Sequence, residues 1–242
     1  MRERARSYGS VAVRRWGGAL ALVAGGVGLV GWLAPGGLGD PAVLRVTEGV
    51  SAAGYRTVVE AMAGTPDWLH RLVELTTDAA LLILLALVAG IGWLGRQRDP
   101  LLLAGAVLVL VATGAAYALS EASKLVVDQE RPCRALAGVE PISHCPEVGD
   151  WSFPSNHATI AAALGVGLAM VVPRLARFTL PLAGATALLR VVAGVHYPHD
   201  IVAGLTLGGV LATATVLVAL DPTVRLLHLL RLAPPTTPGR HR

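Results

Sequence analysis

Six apolar runs leave this chain few ways to fold. They lie at roughly 17–35, 78–95, 100–123, 157–173, 178–195 and 200–220. A helix needs about 20 apolar residues to cross the hydrocarbon core of a bilayer at its rise of about 1.5 Å per residue. In lipid the backbone must satisfy its own N–H and C=O groups, which for single runs of this length means helix. The expected fold class is therefore an all-α integral membrane protein with six transmembrane helices. The fourth and fifth runs are short and meet Pro173 and Pro181, which leaves their ends loosely set. Charged residues make up only 15% of the chain, against about 25% in a soluble domain. The first run lacks a clean small-residue cleavage site and is expected to be a membrane helix, not a cleaved signal.

The segments between the runs differ in kind. The stretch 36–77 is mixed. Within it "VLRVTEGV" and "DWLHRLVELTT" read as short amphipathic helices lying on the outer face, in the interface plane. The stretch 124–156 is polar and rich in Pro, Gly and Cys, and reads as a loop. A basic N-terminus (1–16) and a basic tail (221–242) flank the six-span domain (17–220). The tail's end, "APPTTPGRHR", has the composition of a disordered segment.

Charge gives the orientation. Residues 1–16, the second-to-third connection, the fourth-to-fifth connection and the tail hold 13 of the 20 Lys and Arg but only the acids Glu3, Asp99 and Asp221. By the positive-inside rule these four segments, and with them both termini, are expected in the cytoplasm. The stretches 36–77 and 124–156 and the 196–199 turn then face outward, with Trp68 and Trp151 as interfacial anchors. Cys133 and Cys145 share the outer loop, where a disulfide can persist. A Cys133–Cys145 bridge is expected, the alternative being two free thiols. No basic run or aromatic–basic interleaving points to nucleic acid.

Three polar clusters sit at the outer ends of these runs. "KLVVDQERP" carries Lys124 and Arg131, "PSNH" carries Ser155, Asn156 and His157, and "RVVAGVHYPHD" carries Arg190, His196 and Asp200. A cation held at the centre of a membrane helix costs roughly 2.5–3.5 kcal/mol. Three converging cations also repel one another, and an anion between them resolves both problems. Guanidinium forks suit phosphate, and backbone N–H groups where "PSNH" opens a helix would add donors. His196 and Asp200 share a face if the turn between them is helical. A carboxylate on one imidazole nitrogen then leaves the other free to attack. His157 could protonate a leaving oxygen. Taken singly, each residue has a plainer role. Lys124 could snorkel, Arg190 could pair with Asp200, either histidine could be an ordinary interfacial one, and Asp200 could be an N-cap. Those roles do not explain why all the pieces gather on one side. His199 is expected to be a supporting or headgroup contact, and Asp128 and Glu130 to be loop acids or partners for Arg131.

The order K-x6-R-P, P-S-x-H, R-x5-H-x3-D resembles the three-part signature of the type-2 phosphatidic acid phosphatase superfamily over roughly 78–220. The resemblance implies a helical membrane lipid phosphatase that needs no metal or cofactor. Lys124, Arg131 and Arg190 would bind phosphate, with Ser155 and the backbone around Asn156 adding donors. His196 would form a phosphohistidine, Asp200 would orient it, and His157 would protonate the leaving group. Two positions depart from the pattern: Asn156 replaces the usual glycine, and Leu189 the usual serine before the arginine.

The substrate expected is a membrane lipid phosphate or pyrophosphate, foremost a polyprenyl (pyro)phosphate. Phosphatidic acid, phosphatidylglycerol phosphate and a prenyl-linked sugar phosphate remain alternatives. Phosphoryl transfer to another acceptor would use the same site. A transporter or binding protein for anionic lipids is the reading of another class, and a vanadate-using oxidase a remote one. No obligate protein partner is expected. The site is expected to face away from the cytoplasm.

Overall fold

The computed structural model describes residues 2–36 and 42–232, with side chains from Val13 onward. The "APPTTPGRHR" end falls outside the described residues. The described chain is helical, apart from turns and one isolated bridge between Leu44 and Gln129. Its elements are α1 (Arg2–Leu33), α2 (Gly49–Met62), α3 (Asp67–Arg98), α4 (Pro100–Lys124), α5 (Pro132–Ala135), α6 (Asn156–Val171), α7 (Ala176–Val192, entered through a 3₁₀ turn at Pro173–Leu175) and α8 (Pro198–Leu229).

Five helical segments are long and apolar enough to cross a membrane: Val13–Leu33, Asp67–Arg98, Pro100–Lys124, Pro173–Val192 and Pro198–Leu229. The remaining apolar helix, α6, has 16 residues and reaches only about 24 Å, short of a full hydrocarbon core. Several boundaries differ from those read in the sequence: α1 already begins at Arg2, and the short α5 lies within the stretch 124–156. "DWLHRLVELTT" is not a separate surface helix but the first turns of α3, because no Gly or Pro separates it from the apolar run that follows, from Asp67 as far as Ala89. "VLRVTEGV" is not a helix of its own: Leu44 is bonded on both sides of Gln129 through Asp128 O and Glu130 N, and the last two residues, Gly49 and Val50, open α2. Helix α8 runs past 220 to Leu229, carrying Pro222 within it.

Two devices bring the helices close. Leu84 and Val88 of α3, Val109 of α4, Leu164 and Leu168 of α6 and Ala183 of α7 form one buried apolar cluster. Between α4, α6 and α8 the core is alanine: Ala112, Ala116, Ala163 and Ala212. Small residues let helix backbones approach where lipid supplies no hydrophobic drive. Gly204 and Gly208 show how closely. A Cβ at Gly204 would lie 2.6 Å from Ser155 O, and one at Gly208 2.0 Å from Thr159 O. This contact locks the start of α6 to the start of α8. Large apolar side chains such as Leu82, Trp93, Val111, Phe178 and Leu188 point outward, a surface suited to lipid and unsuited to water.

Arg15 of α1 pairs with Asp221 of α8 at 2.5 Å, which fixes the bundle's far end. Asp221 lies 21 residues beyond Asp200, about 32 Å along the helix. The polar clusters collect at the opposite end, where α4 and α7 finish and α6 and α8 begin.

Candidate active site

The loop from α7 to α8 carries His196. Helix α7 ends at Arg190–Val192, and Gly194 turns the chain at φ +79°. A Cβ at Gly194 would come within 2.7 Å of Pro141, so the position excludes a side chain twice over. Tyr55 of α2 donates its hydroxyl to Gly194 O at 2.8 Å, and Tyr197 donates to Val46 O at 2.7 Å. Burial pushes the Tyr55 hydroxyl up to about 12, so it stays a donor. The segment after α1 therefore braces the histidine loop from outside.

Asp200 is buried at the first turn of α8. Its Oδ2 accepts from the Tyr197 N–H at 2.8 Å and from Ser152 Oγ at 2.5 Å. Its Oδ1 accepts from Gln129 Nε2 at 3.0 Å and lies 3.2 Å from His199 Nε2. His196 precedes the helix, and Asp200 reaches back to it by capping Tyr197. The His196 Nδ1 lies 3.4 Å from both Asp200 Oδ2 and Ser152 Oγ. Its Nε2 lies 3.2 Å from Arg131 Nη1. An arginine can only donate, so Nε2 is the acceptor and the proton sits on Nδ1. His196 is held well below the ordinary imidazole range, at about 3. Burial is the main cause; the bond to Asp200 opposes it, and the charges of Arg131 and Arg190 add to it. The ring is therefore neutral at physiological pH with an available lone pair.

Arg131 is 4% exposed. It spans the site, donating through Nε to Asp150 O at 2.8 Å, through Nη1 to Val195 O at 3.1 Å and through Nη2 to Asp150 Oδ1 at 2.9 Å. Lys124, at the end of α4, lies 2.8 Å from Glu121 Oε1 and 3.8 Å from the same Asp150 oxygen. Asp150 is held below the usual carboxylate range. Burial alone would raise it, but its bond to Arg131 and the charges of Arg131 and Lys124 outweigh that.

The "PSNH" segment is pinned by the Ser155 N–H donating to Asp200 O at 3.2 Å. That backbone donor is thus spent within the protein, whereas the sequence had offered it to a ligand. Ser155 Oγ and Arg190 Nε are buried and have no partner among the described residues. Asn156, where the pattern has glycine, accepts from Ser120 Oγ at 2.7 Å and donates to Glu121 Oε1 at 2.7 Å. It opens α6 in ordinary helical conformation, so no left-handed residue is needed there. His157 Nε2 lies 3.3 Å from Asp78 Oδ1 of α3.

All eight residues singled out for the site in the sequence thus sit at one end of the bundle, on facing elements. Cys133 and Cys145 form a disulfide that closes the loop leading to Asp150. Glu130 pairs with Arg134 at 2.6 Å, not with Arg131. His199 supports Asp200, with its other ring nitrogen 2.6 Å from Ser51 Oγ. Gln129, Ser152, Asp150, Glu121 and Asp78 were not foreseen. The signal for Gln129 was a neutral amide among charges inside the K-x6-R interval.

The PAP2 superfamily model matches residues 105–223. A decaprenylphosphoryl-5-phosphoribose phosphatase of Mycobacterium tuberculosis is 35% identical over 128 residues, 52% of this chain and 64% of that protein. The chain therefore spans just under two thirds of that relative's length. A lipid A 1-phosphatase of Rhizobium etli is 37% identical over 67 residues, 28% of this chain and 29% of its own. Among solved structures, a transmembrane PAP2-type phosphatidylglycerolphosphate phosphatase from Bacillus subtilis has a TM-score of 0.56, covering 81% of this chain and 93% of that one at 20% identity. A bacterial vanadium-dependent iodoperoxidase has a TM-score of 0.52 at 15% identity, over 77% of this chain and 53% of that one. At these identities the two structures share the fold alone.

Proposed function

We propose that this chain, whose residues 105–223 match the PAP2 superfamily model, hydrolyses a phosphate monoester or pyrophosphate carried on a membrane lipid, of the polyprenyl class. One observation carries this reading. A neutral, buried imidazole presents its unprotonated Nε2 at 3.2 Å from a guanidinium while its other nitrogen faces a buried carboxylate. That is a nucleophile with its orienter, set against a phosphate-binding group.

The chemistry follows from the charges. Arg131, Arg190 and Lys124 take the non-bridging oxygens, and the unpaired Ser155 Oγ and Arg190 Nε supply further donors. His196 Nε2 forms a bond to phosphorus as the bond to the leaving oxygen breaks, and His157 gives that oxygen a proton. The imidazolium is stabilised by Asp200, whose charge is held by three hydrogen-bond donors, Gln129 Nε2, Ser152 Oγ and the Tyr197 N–H. Water, deprotonated by His157, then attacks phosphorus and releases His196 and inorganic phosphate. The three cations supply the charge neutralisation that a metal gives elsewhere, so the reaction is assigned as metal-independent. The name of the mycobacterial relative, with its decaprenyl carrier and phosphorylated ribose, favours a prenyl-linked phosphate over a diacyl phospholipid. The distribution of arginines favours both termini in the cytoplasm and the site on the opposite face.

The test is phosphate release from a panel of polyprenyl phosphates, polyprenyl pyrophosphates, prenyl-linked sugar phosphates, phosphatidic acid and phosphatidylglycerol phosphate by purified protein in detergent. Turnover that vanishes in His196→Ala supports the reading. A folded protein inert on the whole panel overturns it.

A further inference from the structure

The phosphate seat already holds an anion. Asp150 Oδ1 lies between Arg131 Nη2 and Lys124 Nζ, at 2.9 and 3.8 Å. Two of the three cations assigned to substrate therefore share one carboxylate oxygen. Two main-chain carbonyls also accept from Arg131 and hold it in place, and its remaining acceptor is the His196 nitrogen that attacks phosphorus. Of its acceptors, the Asp150 carboxylate is the one that a phosphate oxygen can replace without dismantling the site.

The surroundings fit an exchangeable group. The Asp150 side chain is 45% exposed, while the Arg131 and Lys124 side chains are 5% and 9% exposed. Gly149 turns the chain just before it at φ +91°. Just after it, Ser152 is fixed by its N–H to Gln129 O and its hydroxyl to Asp200. The side chain can leave while its backbone stays.

The geometry points to Asp150 as an affinity-determining residue: an internal competitor that occupies the phosphate seat in the resting enzyme, yields to the substrate phosphate, and returns to expel inorganic phosphate. This rests on the phosphatase reading. Asp150 keeps two buried cations neutralised between turnovers, and it weakens product binding as strongly as substrate binding.

The opposite role, a brace that merely aims Arg131, predicts the opposite sign, so one measurement separates them. Inorganic phosphate and orthovanadate are titrated against wild type, Asp150→Asn and Asp150→Ser, by isothermal calorimetry on protein that elutes as a single species in detergent. Both variants keep the main-chain carbonyl that Arg131 Nε uses. Removing a half-exposed, charge-assisted competitor should tighten both ligands about tenfold, and KM for the lipid substrate should fall with it. Should Asp150→Asn fail to fold, Asp150→Ser reads the same quantity. Unchanged or weaker binding in a folded variant overturns the competitor role and leaves the phosphatase reading standing. Absence of binding to wild type as well overturns both.

Discussion

Asp200→Asn separates charge from shape at the centre of the site. The amide has nearly the carboxylate's volume, so packing at the start of α8 is retained. Its neighbours can also adapt. If the amide nitrogen faces Gln129, that side chain can flip to accept from it. His199 can then exchange tautomers and donate to Ser51 Oγ, which already lies 2.6 Å from its Nδ1. Ser152 Oγ and the Tyr197 N–H keep an oxygen to donate to. The rearrangement should therefore cost little stability. What is lost is the negative charge 3.4 Å from His196 Nδ1. At an effective dielectric of about 20, opposite unit charges at the printed 3.4 Å attract by about 5 kcal/mol. That attraction exists only once attack has made the ring an imidazolium, so it stabilises the transition state over the ground state. A loss of this order slows the chemical step by roughly three to four orders of magnitude. The assay is kcat for phosphate release beside the thermal melting curve of the same preparation. A folded variant keeping more than about a tenth of wild-type kcat would refute the argument that Asp200 acts through its charge.

Other expectations follow from the same geometry. His196 is neutral when folded down to about pH 3, whereas an unfolded histidine takes up its proton near pH 6.5. Between these values the unfolded state binds more protons, so stability falls as pH drops from about 6.5 towards 3. His196→Gln should flatten that part of the melting-temperature profile; an unaltered slope would mean that the ring titrates normally. His157→Ala should cut turnover by about 10²–10⁴-fold and lengthen the life of a phosphoenzyme trapped with labelled substrate. Failure to detect more label on the variant than on wild type would remove His157 from the hydrolytic step. Replacing both Cys133 and Cys145 by serine opens a loop with a sequence separation of 12, which should cost about 3 kcal/mol of stability. A melting temperature unmoved by the double replacement would show that the loop is held by its other contacts. Gly208→Ala would put a Cβ at 2.0 Å from Thr159 O and should lower the melting temperature by separating α6 from α8. Wild-type stability would contradict the close approach.

Much of the framework was legible because membrane helices announce themselves by apolar length and because the site's residues keep fixed spacings within short motifs. His196 and Asp200 are four apart, and Lys124 and Arg131 seven apart, so each pair could be placed together without knowledge of the fold. The helix ends were harder. The first turns of α3 are polar enough to look like a separate surface helix, and only an uninterrupted backbone joins them to the apolar run. Ser152, Gln129 and Asp150 were invisible for a different reason. Each acts on a residue far along the chain: Ser152 and Gln129 on Asp200, across separations of 48 and 71 residues, and Asp150 on Arg131 and Lys124. Spacing carries no information about such pairings.

These hidden partners change how the site works. Read from its motifs alone, it is a cluster of three cations waiting for an anion. In the structure each long cation meets a different environment. Lys124 is tied to Glu121, and Glu121 in turn to Asn156. Arg131 is held by backbone and shares Asp150 with Lys124. Arg190 keeps a buried Nε without a partner among the described residues. On the proposed reading, an incoming phosphate therefore does not meet three equal charges. It gains most at once from Arg190 and Ser155, whose unpaired groups lose nothing on binding it, and reaches Arg131 only by displacing Asp150. This order predicts that Arg190→Lys, which keeps the charge but removes the Nε donor, raises KM by about tenfold or more. The same substitution should leave the melting temperature near that of wild type, since no internal hydrogen bond from Nε is lost. Wild-type KM in Arg190→Lys would show that the unpaired nitrogen does not meet the phosphate, and the order of engagement argued from it would fall.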